Sequence, residues 1–120
     1  MLKAFLLQFM LLILIASWTD NGYQIDNDEI TFIYPSTRIE GDVFVCGNFM
    51  GWKKNDPNWR MTFSNDGYYF LKMDIADIKS SDRSFYEFTF LVKDELVDAN
   101  PKAENVIHCA GYGYRYVIHW

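Results

Sequence analysis

The sequence predicts an all-β fold of two packed antiparallel sheets, and three observations carry that prediction. Four Trp, eight Tyr and ten Phe sit with Val and Ile in alternating runs, the residue set of pleated, half-buried strands. Turn signals recur at short intervals, among them Pro35-Ser36-Thr37, Glu40-Gly41-Asp42, Gly47 and Asn65-Asp66-Gly67. A chain of 120 residues has room for one core and no more.

The first element is not part of that fold. Met1-Leu2-Lys3 supplies one positive charge, Ala4 to Ala16 is apolar apart from Gln8, and Ser17 is small, which is the pattern of an export signal over residues 1–17. Its apolar stretch is shorter than the ~20 residues a spanning helix needs. The mature chain is therefore expected to have no stable membrane span and to be secreted or periplasmic. The acidic, Gly- and Asn-containing run from Asp20 to Glu29 makes residues 18–28 read as a linker, which leaves 29–120 for the folded domain.

Within the domain, Glu29 to Tyr34 alternates as a first strand and Pro35 breaks it. Val43-Phe44-Val45-Cys46 is a second, with Val43 and Val45 on one face, until Gly47 lets the backbone bend and puts Phe49 and Trp52 on the turn. A polar loop over Lys53 to Asn58 leads to a short strand from Trp59 to Phe63. After the Asn65-Asp66-Gly67 turn, Tyr69, Leu71, Met73 and Ile75 share a face opposite Phe70, Lys72 and Asp74. The polar connection from Asp77 to Ser84 is expected to protrude. Tyr86, Phe88, Phe90 and Val92 then form a buried face, with Glu87, Thr89 and Leu91 pointing the other way. Glu95 to Val97 is a brief strand, and Tyr114 to Trp120 is the last. About seven such strands in roughly 100 residues suit an immunoglobulin-like, early-set antiparallel β-sandwich.

Charge and motifs narrow the function. A formal charge of −5 argues against nucleic acid and anionic membranes as partners, because both require a Lys/Arg excess. No Gly-x-Ser-x-Gly, Walker loop or His-Glu-x-x-His occurs, so no catalytic residue is assigned and the chain reads as a non-enzyme. Two Cys and two His lack the paired short spacings of a metal site, and neither metal nor cofactor is expected. Cys46 and Cys109 permit a disulfide in an exported domain, worth ~2–4 kcal/mol, if their Cα atoms lie within about 4.4–6.8 Å. The alternative is two separate thiols.

A resemblance runs through these elements. The series Val43-x-Val45-x-Gly47-x-Phe49-x-x-Trp52 is similar to the opening motif of the family 48 starch- and glycogen-binding modules. Those modules occur in the β subunit of AMP-activated protein kinase and beside the catalytic domains of branching and debranching enzymes. Ile30-Thr31-Phe32-Ile33-Tyr34 resembles their first strand, and Met61 with Asp66-Gly67-Tyr68-Tyr69 resembles their Met and Asp-Gly-aromatic turn. Phe88 to Asp94 resembles their Tyr-x-Phe-x-Val-Asp-Gly strand, and Asp98 to Pro101 their Asp-Pro, so the likeness spans residues 28–101 in register.

The resemblance implies non-catalytic binding of an α-glucan. In the kinase modules two Trp rings form a platform for the glucose rings, and a Lys and an Asn bond the hydroxyls. The first Trp falls on Trp52, the second on Leu96, the Lys on Thr89, and the Asn within Tyr112 to Arg115. Lys53, Trp59 and the aromatics Tyr112, Tyr114 and Tyr116 are candidates for rebuilding the missing half of the platform. The other function class open to the same scaffold is an exported protein-interaction or envelope-structural domain that has lost sugar binding, with a protein rather than a polysaccharide as partner.

Overall fold

Alternating apolar residues pair into two antiparallel sheets in the computed structural model, which describes residues 21–36, 38–111 and 113–120. The export-signal stretch at residues 1–17 lies outside the described residues. The strands are β1 (Tyr23–Asp26), β2 (Glu29–Pro35), β3 (Val43–Gly47), β4 (Thr62–Phe63), β5 (Tyr68–Asp74), β6 (Glu87–Val92), β7 (Glu95–Leu96), β8 (Val106–Cys109) and β9 (Gly113–Val117). One short helix, α1 (Ile75–Lys79), follows β5. One sheet has the order β1-β2-β5-β4, and the other the order β3-β6-β9-β8, with β7 paired to β6.

The faces fall where the period of two puts them. Ile30 and Phe32 from β2, Val43 and Val45 from β3, and Phe88 and Phe90 from β6 meet between the sheets in one cluster, with Tyr69 and Tyr116. Phe88 lies at its centre, its ring 4.9 Å from Phe32 and 5.3 Å from Tyr116 between centroids. Aromatic pairs at such spacing add to the stabilisation that burial of their area already provides. Among the described residues no helix is long and apolar enough to cross a membrane.

Three local expectations change, and one strand is added. The sandwich starts upstream of residue 29: Tyr23 to Asp26, read as linker, pairs with β2 as the edge strand β1, and Tyr23 packs edge-on against Phe88. The connection after Asp74 does not simply protrude, because it forms α1 and inserts Ile78 into the core at 0% exposure. Trp59 to Phe63 is not one strand, since Pro57–Trp59 makes a 3₁₀ turn and only Thr62–Phe63 pairs with β5. Finally, β8 precedes the last strand and pairs with it as a hairpin.

The outer face of the β3-β6-β9-β8 sheet carries the site. Phe44, Cys46 and Leu91 form a second, smaller apolar cluster there, against which Met50, Trp52 and Leu96 pack. A loop and a two-residue strand thus cover a face that open alternation would leave to water.

Candidate functional site

The turn after β3 sets the position of Trp52. Gly47 is the pivot, because a Cβ there would lie 2.5 Å from the Glu87 carbonyl oxygen and 2.7 Å from the Phe49 ring. Asn48, buried in the following 3₁₀ turn, ties it to β6: its side-chain amide donates to the Phe85 carbonyl at 3.1 Å and accepts from the Glu87 N–H at 3.0 Å. Gly51 and Trp52 then both take left-handed backbone, at φ 71° and 57°, while the Trp52 N–H bonds the Gly47 carbonyl at 2.9 Å. A bulky residue in that region is strained, and such strain collects where side-chain placement serves a function.

The Trp52 ring is half-buried and has the Arg115 guanidinium 5.7 Å from its centroid. Arg115 itself is only 7% exposed, so it backs the ring from the sheet side. Its Nη1 donates to the Tyr114 carbonyl at 2.9 Å and lies 4.0 Å from Asp98 Oδ1. Asp98 is fixed in turn by the Tyr114 N–H at 3.2 Å, and it occupies the space a Cβ on Gly113 would need.

Beside Trp52 opens a cavity of about 510 Å³ lined by Trp52, Lys54, Glu87, Leu96, Cys109 and Arg115. That volume is in the range of small-ligand sites, which combine apolar walls with a few converging polar groups. Leu96 and Trp52 supply apolar wall. Glu87 is half-buried, and among the described residues its carboxylate makes no hydrogen bond. Burial pushes its pKa up, and the nearby Arg115 charge only partly offsets this. An ionisable group desolvated in a cavity without a hydrogen-bond partner is equipped to accept one from a ligand hydroxyl.

The residues expected to bind sugar separate into two groups. Trp52 and Leu96, far apart in sequence, line one cavity. Lys53 is exposed and its carbonyl accepts from the Cys46 thiol at 3.7 Å, whereas the next residue, Lys54, reaches the cavity. Trp59 is not a second platform: it is 8% exposed and packs between the sheets, 5.2 Å from Phe49. Its 3₁₀ turn, opened by Pro57 and capped by Asp56 accepting from the Asn58 N–H, directs the ring inward. Thr89 lies on the cavity side of β6 but is 0% exposed, and its hydroxyl donates to the Val97 carbonyl, so no ligand can use it. Tyr116 faces the core and Tyr114 packs on its edge, while Tyr112 lies outside the described residues.

Cys46 and Cys109 are free thiols, not a bridge. The strand order explains this: β3 and β8 stand three strand spacings apart, about 14 Å at 4.8 Å each, twice the ~7 Å limit for a disulfide. Burial pushes the Cys46 thiol up, with Lys54 and Arg115 opposing, whereas Cys109 is half-buried at the cavity. Alkylation of native protein at neutral pH is expected to label Cys109 alone, and alkylation after unfolding to label both; intact mass reads the difference. Native protein with Cys46 labelled first would contradict the packing of the outer face.

Sequence reasoning missed Glu87, Arg115 and Lys54. The signal for Glu87 was a lone carboxylate inside the aromatic strand Tyr86 to Val92, and Arg115 has the same standing within Tyr114 to Val117. The fold and cavity define a β-sandwich with a site walled by Trp52 on the outer face of one sheet. No known protein family matches the chain, and no curated protein matches it.

Proposed function

We propose that this chain is a non-catalytic carbohydrate-binding module, an immunoglobulin-like sandwich that holds an α-glucan against Trp52. The observation that carries this reading is the strained, half-exposed Trp52 ring, backed by Arg115 on the sheet side and standing at a cavity lined by the half-buried Glu87 carboxylate. A sugar ring has apolar C–H faces and polar edges. An aromatic plane takes the face, and converging charged groups take the hydroxyls through charge-assisted hydrogen bonds.

The similarity of residues 28–101 to the family 48 modules supports the same ligand, and the co-location of Trp52 with Leu96 is what that similarity implies. The Lys3 and Ala4 to Ala16 pattern supports export as the setting. A second reading, a protein-interaction domain, has in its favour the edge strand β8 beside the cavity, whose Ile107 is exposed.

Retention of the wild-type chain on insoluble starch and on glycogen beads tests the proposal. Retention that free maltoheptaose releases is the expected result. Passage through both columns without delay would end the glucan reading and leave the protein-interaction reading standing.

A further inference from the structure

We propose that the cavity recognises the end of a glucan chain, taking one or two terminal glucosyl units with Glu87 and Arg115 as hydroxyl partners, rather than the flank of a long chain. This rests on the glucan reading above and fixes which part of the polymer is bound.

The number of stacking surfaces limits how much of a glucan chain the cavity can order. Binding along a chain needs successive rings to meet successive aromatic planes. Here the position beside Trp52 is Leu96, Trp59 is sealed in the core, and Tyr116 stacks on Phe88. Among the described residues no other aromatic ring lines the cavity. One plane orders one ring.

The shape agrees. The polar groups do not extend outward from Trp52 as a track but converge on a single volume of about 510 Å³. Arg115 is its buried floor, Glu87 its half-buried wall, and the exposed Lys54 its rim. A terminal unit exposes hydroxyls that an internal unit has lost to glycosidic bonds, and only a terminal unit can bring them down to such a floor. A carboxylate beside a guanidinium suits a vicinal diol, accepting from one hydroxyl and donating to the other.

Glu87 also gives a readout that separates a ligand role from a structural one. The groups facing it are Arg115 from β9, Lys54 from the loop after Trp52 and Cys109 from β8, with Asp98 4.0 Å from the Arg115 guanidinium. Burial, partly offset by Arg115, raises its folded pKa above the ordinary 4.5. A raised carboxyl contributes stability below the unfolded pKa and loses it as pH rises through the folded value. Glu87→Gln therefore removes a penalty at neutral pH: the midpoint should be equal to or above wild type while binding falls.

Calorimetric titration of the full chain at pH 7 tests this with glucose, maltose, maltotriose, linear maltoheptaose and cyclic maltoheptaose, which has no end. Affinity is expected to level off by maltotriose, staying within about threefold to linear maltoheptaose, and the cyclic sugar should bind at least roughly tenfold more weakly than the linear one. Glu87→Gln should lose roughly tenfold or more for every linear sugar, the usual effect of a lost charged hydrogen bond. Equal affinity for cyclic and linear maltoheptaose, or a rise beyond tenfold from maltotriose to maltoheptaose, overturns end recognition while leaving the glucan reading intact. Unchanged affinity in Glu87→Gln overturns the carboxylate's role. No heat with any of the five sugars overturns the glucan reading, and this inference with it.

Discussion

Trp59→Ala is expected to cost about 3–5 kcal/mol of folding stability, the range for emptying a buried aromatic site. The ring is 8% exposed and touches Phe32 at 6.4 Å and Phe49 at 5.2 Å between centroids, so its removal opens a void at one end of the core that neither neighbour can close without leaving its own packing. For a domain of this size each kcal/mol is worth about 4–8 °C, so the midpoint should fall by more than about 12 °C. Against a typical total of about 5–15 kcal/mol the variant is expected to be marginal but folded in the cold. Its folded fraction should still be retained on glycogen, because Trp59 does not line the cavity. Urea denaturation and bead retention, both at low temperature, measure the two quantities. A cost below about 1 kcal/mol would show that the ring does not fill the core.

Trp52 and Trp59 flank the same polar loop, Lys53 to Asn58, and composition alone does not say which of the two rings turns inward. What separates them is backbone geometry. Gly51 and Trp52 share a left-handed turn held by the Gly47 carbonyl, and this lays the ring on the outer face. Pro57 and the Asp56 cap tighten a 3₁₀ turn that points Trp59 inward. Alternation made β3, β5 and β6 legible, including the division of Phe88 and Phe90 from Glu87 and Thr89. It says which face a residue is on and not whether that face is covered. Thr89 and Leu91 point away from the core yet are buried, because β7 and the Trp52 loop roof the outer face. On the same face the Trp52 ring lies over Arg115, which is buried although charged.

Other elements were invisible for reasons of length. Residues 23–26 become a strand only through pairing with β2 across a turn in which Asn27 has φ 56°. Five residues of α1 are too few to establish a helical period, so Ile78 looked like part of a polar connection. In β8, His108 and Cys109 dilute the apolar pattern, and its hairpin partner is what defines it. The disulfide question was open in sequence because spacing along the chain carries no information on strand order across a sheet.

Trp52→Ala is expected to abolish retention on glycogen at a modest cost in stability. The ring is half-buried against Cys46, Leu91 and Phe44, so its apolar contact should be worth about 1–2 kcal/mol by area burial, less than Trp59 contributes. Position 52 also has φ 57°, which alanine tolerates no better than tryptophan does, and glycine relieves. Trp52→Gly should therefore be more stable than Trp52→Ala by about 1 kcal/mol, the lower cost of a left-handed L-residue, while binding no better. That ordering decouples stability from binding, because a loss of retention through misfolding would track the denaturation midpoint and the two variants would then differ on the beads. Leu96→Trp supplies the gain-of-function arm: a second plane in the same cavity wall should raise affinity for maltose and the longer sugars more than for glucose, since only a sugar of two or more units can meet both rings. Midpoints in urea and calorimetric affinities would be compared for wild type and the three variants. Retention of either Trp52 variant at the wild-type level would remove Trp52 from the site, and with it the single stacking surface on which the glucan reading depends.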